Sequence, residues 1–137
     1  MGTKSRGAIT VLQFAAEAAI RGATVCDPIG DDSPYDLALD VPNVGFKRIQ
    51  VKTASKTKTG VYNIPCQPRV PCVGSAGTMT SKASPYKQGA VDALVSCVEG
   101  TWYIFTSVHT LPATVAINPK IAGKYAGASN AWQSIGL

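Results

Sequence analysis

Asp36 and, fourteen residues further on, the triplet Gln50-Val51-Lys52 are the residues of this chain whose types and spacing can do chemistry together. A carboxylate and an amide oxygen are hard ligands suited to Mg²⁺, which keeps several waters and completes its shell with substrate phosphate oxygens. The backbone carbonyl of Val51, between the two polar side chains, is a further candidate ligand. Hydrolysis of a phosphodiester needs an in-line water, a lowered pKa for that water, and compensation of the charge that builds on the phosphoryl oxygens. Lys52, a mobile point charge, can meet the last two needs. A plainer reading competes: Gln and Lys are commonplace on the half-buried face of an amphipathic strand, and spacing alone does not separate the two.

These residues need a sheet to align them. Residues 35–41 alternate, with Tyr35, Leu37 and Leu39 on one face and Asp36, Ala38 and Asp40 on the other. Pro42-Asn43-Val44-Gly45 then makes a turn into residues 46–53, where Ile49 and Val51 face one side while Arg48, Gln50 and Lys52 face the other. The two segments read as a hairpin that brings Asp36, Gln50 and Lys52 to one face.

Ahead of the hairpin, residues 8–20 carry Ile9, Leu12, Ala15, Ala16, Ala19 and Ile20 at three- and four-residue steps and stop at Arg21-Gly22. That pattern predicts a helix with one apolar face. Residues 23–26 predict a short strand, and residues 27–34 a turn-rich acidic link. Beyond the hairpin, residues 61–64 predict a third strand that completes an antiparallel meander. Residues 65–85, with four prolines, predict an irregular and mobile loop. Residues 90–98 are strongly apolar, Glu99-Gly100 turns the chain, and residues 102–105 follow as a partner, so these two are expected as central strands. Residues 113–117 are ambiguous, and the tail at 118–137, rich in Gly, Ala, Ser and Asn, is expected to be flexible.

At 137 residues the chain is the size of one domain, able to bury a single core without disulfides or metals. Its hydrophobic fraction is 45%, yet no uncharged apolar run approaches the roughly 20 residues that cross a bilayer. No membrane association is expected. The start of the chain lacks the apolar stretch of a secretory signal, which predicts a cytoplasmic protein. Four cysteines without a CxxC pair, and a single histidine, argue against a zinc site. Cys26 and Cys97 read as small buried hydrophobes in a reducing compartment, while a Cys66–Cys72 disulfide is possible but not required. His109 could be a general base in principle, although a lone histidine at a strand end is more often a surface hydrogen-bonding group.

The net charge of +5 points to a polyanionic partner. Lys47, Arg48, Lys52, Lys56 and Lys58 fall within a dozen positions without an acid among them, a density suited to neutralising phosphates. Lys4 and Arg6 extend the candidate DNA-binding set.

Three runs carry a resemblance: Ser33-Pro34-Tyr35-Asp36-Leu37, Ile49-Gln50-Val51-Lys52-Thr53-Ala54, and Tyr86-Lys87-Gln88-Gly89-Ala90-Val91-Asp92. Together with the order of elements, they resemble the PD-(D/E)XK endonuclease superfamily over roughly residues 5–110. The similarity is greatest to the subfamily that holds group I intron homing endonucleases of this fold and Holliday-junction-resolvase-like nucleases. It implies an α/β, restriction-endonuclease-like core: an N-terminal helix, a mixed twisted β-sheet and a flanking helix. It also implies that Asp36 and Gln50 bind a divalent metal and that Lys52 assists the attacking water. Tyr86 and Asp92 complete the family pattern, with local packing and pairing as their simpler roles. Gln at the second ligand position leaves the site one negative charge short, so weaker metal affinity follows.

One departure stands out. Relatives usually carry a metal-binding Glu on the first helix, where Gly7-Ala8-Ile9-Thr10 is here followed by Val11. Glu17 lies six residues further along, about 9 Å by helical rise, which makes direct replacement doubtful. Thr10 or Gln13 could instead hold a metal-bound water. Either the chain is an impaired enzyme or its site works with fewer anionic ligands.

The expectation is therefore a single domain over residues 1–137 that hydrolyses DNA with Mg²⁺, or Mn²⁺ as substitute, acting as a homodimer or higher homo-oligomer. Structure-specific cutting of the resolvase type is favoured over intron-type homing, because homing requires more base-contacting surface than the sequence displays. A non-catalytic DNA-binding module is the alternative from a different class.

Overall fold

The computed structural model describes residues 1–30 and 32–137; Asp31, within the expected acidic link, lies outside them. The chain opens with helix α1 (Thr3–Ile20), which starts five residues earlier than the apolar periodicity does. Its inner face is built on Thr10, Phe14 and Ala18, at four-residue steps. Strands β1 (Thr24–Cys26), β2 (Leu37–Val41) and β3 (Gly45–Thr53) follow. Leu37, Leu39 and Val41 are buried at every second position, as are Ile49 and Val51, because one face of this hairpin rests on α1.

After β3 come β4 (Ser55–Lys56), β5 (Tyr62–Pro65), β6 (Arg69–Val73) and β7 (Met79–Ala83). The chain then returns through β8 (Ala93–Val98), β9 (Thr101–Phe105) and β10 (Thr114–Ile117). The main sheet has the order β1-β2-β3-β8-β9. It is mixed, since β3 and β8 run parallel while the other neighbours are antiparallel. The β3-to-β8 crossover is made of strands instead of a helix, and α1 is the one α-helix among the described residues.

Several expectations need correction. Strand β5 does not extend a meander from β3; it lies between β10 and β4 in a separate three-stranded sheet. Its partner β10, which settles the ambiguous residues, is distant in sequence and so invisible to local reading. Strand β9 sits at the edge of the main sheet and is not central. Residues 65–85 are not irregular throughout, because β6 and β7 pair in five-residue register, Arg69 opposite Ala83 and Val73 opposite Met79. The tail at 118–137 is also structured: it makes 3-10 turns at Ala126–Ala128 and Trp132–Ile135, and buries Ala131, Trp132 and Ile135.

The sheet separates two cores. The first fills the space between sheet and helix, where Phe14 stacks on Trp132 at 5.3 Å and meets Trp102 edge-on at 5.1 Å. The second lies on the opposite face and joins Leu94, Val98 and Phe105 to Ile64, Cys66, Tyr86 and Val115. Tyr35, expected beside Leu37, packs against this second core because the chain changes course just ahead of β2. The turn at Glu99-Gly100 has positive φ at both residues, 49° and 81°, the backbone that a tight two-residue hairpin requires. All four cysteines are free thiols, so the disulfide left open at Cys66 and Cys72 is not formed.

Candidate active site

Asp36 precedes the first residue of β2 and is held from two directions. Its main-chain N–H donates to the Ile49 carbonyl at 2.9 Å. Its carboxylate oxygen Oδ2 accepts from the Val51 N–H at 2.7 Å and from Gln50 Nε2 at 2.6 Å. The cause is local. The β2–β3 ladder ends at the pair Leu37–Ile49, so the Val51 amide has no β2 partner and the Asp36 side chain takes that place. The Val51 carbonyl lies on the same uncovered stretch, 3.5 Å from Gln50 Nε2.

Gln50 and Lys52 alternate with the buried Ile49 and Val51, so they project from the sheet face opposite α1. The structure thus brings Asp36 and Gln50 together and sets Lys52 on the same face, one step further along β3. Lys52 is half-buried and has no ion-pair partner among the described residues. Its positive charge reaches the buried Cys66 thiol, which burial nonetheless pushes up to about 11. Tyr86 packs into the second core near Asp36; burial, then the Asp36 charge, push its phenol up to about 12. At neutral pH both groups are therefore uncharged members of the second core.

A residue that the spacing did not single out lies beside this group. Ser96 pairs with Lys52 across the parallel ladder, is fully buried, and its hydroxyl has no hydrogen-bond partner among the described residues. It sits inside the apolar run Ala93-Leu94-Val95-Ser96-Cys97-Val98, and that interruption is the one signal that could have marked it.

The auxiliary candidates on α1 are not assembled with this group. Thr10 donates to the Arg6 carbonyl at 2.9 Å and meets the Thr53 hydroxyl at 3.1 Å, on the helix side of the sheet. Gln13 is exposed, and Glu17 lies 3.9 Å from Arg21. Among the described residues, no hydrogen bond or ion pair links these three to Asp36, Gln50 or Lys52. Val11 is half-buried against the first core, so the position where the resemblance implied a Glu is apolar packing here.

Arg48, expected among the DNA contacts, is committed elsewhere. Its main-chain N–H and Nε donate to Asp92 Oδ2 at 2.7 and 3.0 Å, and its terminal nitrogen to Oδ1 at 3.2 Å. The Asp92 N–H returns a bond to the Arg48 carbonyl at 2.9 Å. Burial acts to raise the Asp92 pKa, but the hydrogen bonds and charge of Arg48 outweigh it and hold the carboxyl below its ordinary value. This reciprocal clamp ties the start of β3 to the entry of β8. The other expected contacts scatter: Lys4 and Arg6 are exposed on the first turns of α1, and Lys47 is half-buried on the helix side of β3. Lys56 lies 5.7 Å from the Tyr62 ring, and Lys58 is exposed in the following turn.

Whether a cation suits the pocket can be judged from its donors. Asp36, the Gln50 amide and the Val51 carbonyl offer oxygen alone, the set a hard divalent ion takes. As placed, Gln50 turns Nε2 toward Asp36; turning the amide end for end presents Oε1 instead and leaves other atoms unmoved. The fit is adequate but lightly charged. Among the described residues, no cluster of three or more His, Cys, Asp or Glu side chains is arranged for a metal.

A family model described as PD-(D/E)XK endonuclease matches residues 1–133. The chain belongs to that family. The PD-(D/E)XK assignment agrees with the fold, which superposes on the structure of a bacterial homing endonuclease, I-Ssp6803I, with a TM-score of 0.79. That match has 24% sequence identity and covers 97% of this chain and 92% of the other. At this identity the likeness establishes the shared fold alone. No curated protein matches the sequence. Asp36, Gln50 and Lys52, the residues that the resemblance singled out, are the group that the β2–β3 hairpin brings to one face.

Proposed function

We propose that this chain is a divalent-metal-dependent DNA endonuclease, with Mg²⁺ as the working ion and Mn²⁺ as a substitute. One observation carries the reading: the Asp36 carboxylate is fixed at 2.7 Å by the Val51 N–H, beside Gln50, on a strand whose next residue on the same face is Lys52. Asp36, the Gln50 amide oxygen and the Val51 carbonyl would hold the ion. When bound, such an ion supplies positive charge to phosphoryl oxygens and lowers the pKa of an attacking water.

The chain's own groups do the rest. The Val51 N–H holds Asp36 in one rotamer before any ligand arrives, so little order has to be imposed at binding. The Lys52 ammonium donates hydrogen bonds to a phosphoryl oxygen and to the water, and orients that water in line. Cys66, Tyr86 and Leu94 limit access of bulk solvent from the second core, which strengthens these polar contacts. Lys56 and Lys58, in the segment just after β3, supply phosphate neutralisation nearest the site, with Lys4, Arg6 and Lys47 on the helix side contributing only at longer range, while Arg48 acts through Asp92 on the sheet.

One site per chain and two strands per duplex support a two-fold homodimer as the working unit. Such an enzyme works inside the cell, on the DNA. Sequence reading favoured junction resolution, but the β6–β7 ribbon adds protruding surface of the kind that site-directed cutting of duplex DNA uses. A second reading, a binding module impaired in cleavage, draws on Val11, which leaves Asp36 as the one carboxylate of the group.

Supercoiled, linear and four-way-junction DNA incubated with Mg²⁺ or Mn²⁺ separate these readings. The enzyme reading expects ion-dependent nicking that Asp36→Asn and Lys52→Met each lower by about a hundredfold or more. Preference for the junction over the linear duplex would restore the resolvase reading. Nicking gained only with Val11→Glu would mark an impaired enzyme, and salt-sensitive binding with no nicking by either form would leave a binding module.

A further inference from the structure

The β6–β7 ribbon differs from the other strand pairs. Among the described residues, neither strand hydrogen-bonds to any strand but its partner. None of the paired residues is buried, although Val70 and Cys72 on one face are half-buried, and at its far end Val73 and Met79 pair across the strands while 68% and 71% exposed. Val73 and Met79 are two of the ten large apolar residues exposed among the described residues, and the two that lie directly opposite one another across a strand pair, so they form one contiguous apolar patch. The tip itself is narrow: Gly74 N–H donates to the Thr78 carbonyl at 2.8 Å, and Gly77 takes a positive φ of 75° to close the turn.

Its charge is one-sided. Not one Asp or Glu occurs between Asp40 and Asp92, a stretch that contains the whole ribbon. Arg69 and Lys82 stand near its root without an acidic partner among the described residues. The Arg69 guanidinium instead lies across the ribbon, donating to the Ser81 carbonyl and, at 3.3 Å, to the Ser81 hydroxyl.

Both roots attach to the second core, through Cys66 and Tyr86, which feel the charges of Lys52 and Asp36 respectively. On the way in, Cys66 donates its N–H to the Ala113 carbonyl at 2.9 Å and Gln67 Nε2 reaches the Leu111 carbonyl at 3.0 Å. On the way out, Ser84 N–H closes the base on the Pro68 carbonyl at 3.0 Å, and Tyr86 follows directly into the second core beside the site. Five paired residues extend about 17 Å, and two strands lie about 4.8 Å apart. A B-DNA major groove, about 12 Å wide and 8.5 Å deep, admits such a ribbon.

We infer that the β6–β7 ribbon enters the major groove of duplex DNA beside the scissile phosphate and reads base pairs there, with Val73 and Met79 contacting thymine methyl groups and Arg69 a flanking phosphate. This rests on the nuclease reading and deepens it. Exposed apolar groups suit the one apolar feature of the groove, the thymine methyl, and the acid-free surround suits the backbone on either side.

A pool of randomised duplexes, bound to the full chain in Ca²⁺ and sequenced, tests this. The unaltered chain should enrich a contiguous block of base pairs that includes thymines. The double variant Val73→Ser, Met79→Ser should lower the ratio of binding to the enriched over a scrambled duplex by about tenfold or more. An unchanged ratio, or equal weakening on both duplexes, overturns the inference; so does nicking by a chain that enriches no sequence, and each leaves the nuclease reading intact. A fall in the mass of the assembly on the double substitution overturns it too, since the ribbon would then join copies of this chain. Absence of both salt-sensitive binding and nicking would remove the nuclease reading along with it.

Discussion

The hairpin β2–β3 and the ribbon β6–β7 are each antiparallel pairs in five-residue register, yet they live in opposite surroundings. The first is flanked by β1 and β8, rests one face on α1, and buries Leu37, Leu39, Ile49 and Val51. The second pairs with no further strand among the described residues and has no buried residue on either face. Catalytic groups must be held to a fraction of an ångström, which only a packed strand supplies. Groups that meet a groove must protrude, which a packed strand cannot do. The difference teaches that a strand pair's task follows from what covers it more than from its own ladder.

Substitutions can break or sharpen that contrast. The largest effect is expected for Ile49→Ala, which empties a fully buried position between Gln50 and the first core and should cost about 2–5 kcal/mol in denaturant unfolding. Next is Asp92→Asn, which weakens the clamp on Arg48; because both partners are partly exposed, about 1–2 kcal/mol is expected at neutral pH. The Asp92 carboxyl is held below its ordinary value in the fold, so its stabilisation is present above about pH 4 and is lost as pH falls through the folded pKa. Melts of the two proteins should therefore converge in acid, and a gap that persists there would assign the clamp no electrostatic part.

A change of opposite sign is expected at Ser96, whose buried hydroxyl has no partner among the described residues. Ser96→Ala should raise stability by about 1 kcal/mol, read from the denaturation midpoint; a loss would mean that the hydroxyl is satisfied in solution. Smallest of all, Val73→Ala and Met79→Ala on the ribbon should each shift stability by less than about 0.5 kcal/mol. A larger cost there would show the ribbon to be packed, and the contrast with the hairpin would fail.

The hairpin was legible because it is local and half-buried. Period-two alternation in residues 35–41 and 46–53 follows from one face meeting α1, and four residues of turn join the two. Asp36, Gln50 and Lys52 came with it, since alternation fixes which side each faces. The ribbon was not legible because it has no buried face, so Pro71, Gly74 and Gly77 in an unpatterned stretch read as a loop. Strand β5 was misplaced because its partner β10 lies some fifty residues on, where residue type says little about pairing. The tail misled for the same reason: Trp132 and Ile135 are buried by Phe14 and its neighbours, more than a hundred residues back. Arg48 was misassigned because charge density counts cations without the acids that reach them, and Asp92 stands forty-four residues away.

The aromatic stack has a consequence for how the chain is made. Phe14 lies between Trp102 and Trp132, so its indole neighbours are among the later residues to be synthesised. During synthesis the β2–β3 hairpin can cover part of the helix face that bears Phe14, but its aromatic partners arrive only once Trp102 and then Trp132 have emerged. A chain stopped short of Trp132 should therefore keep its sheet-facing contacts yet leave one face of the Phe14 ring open to water.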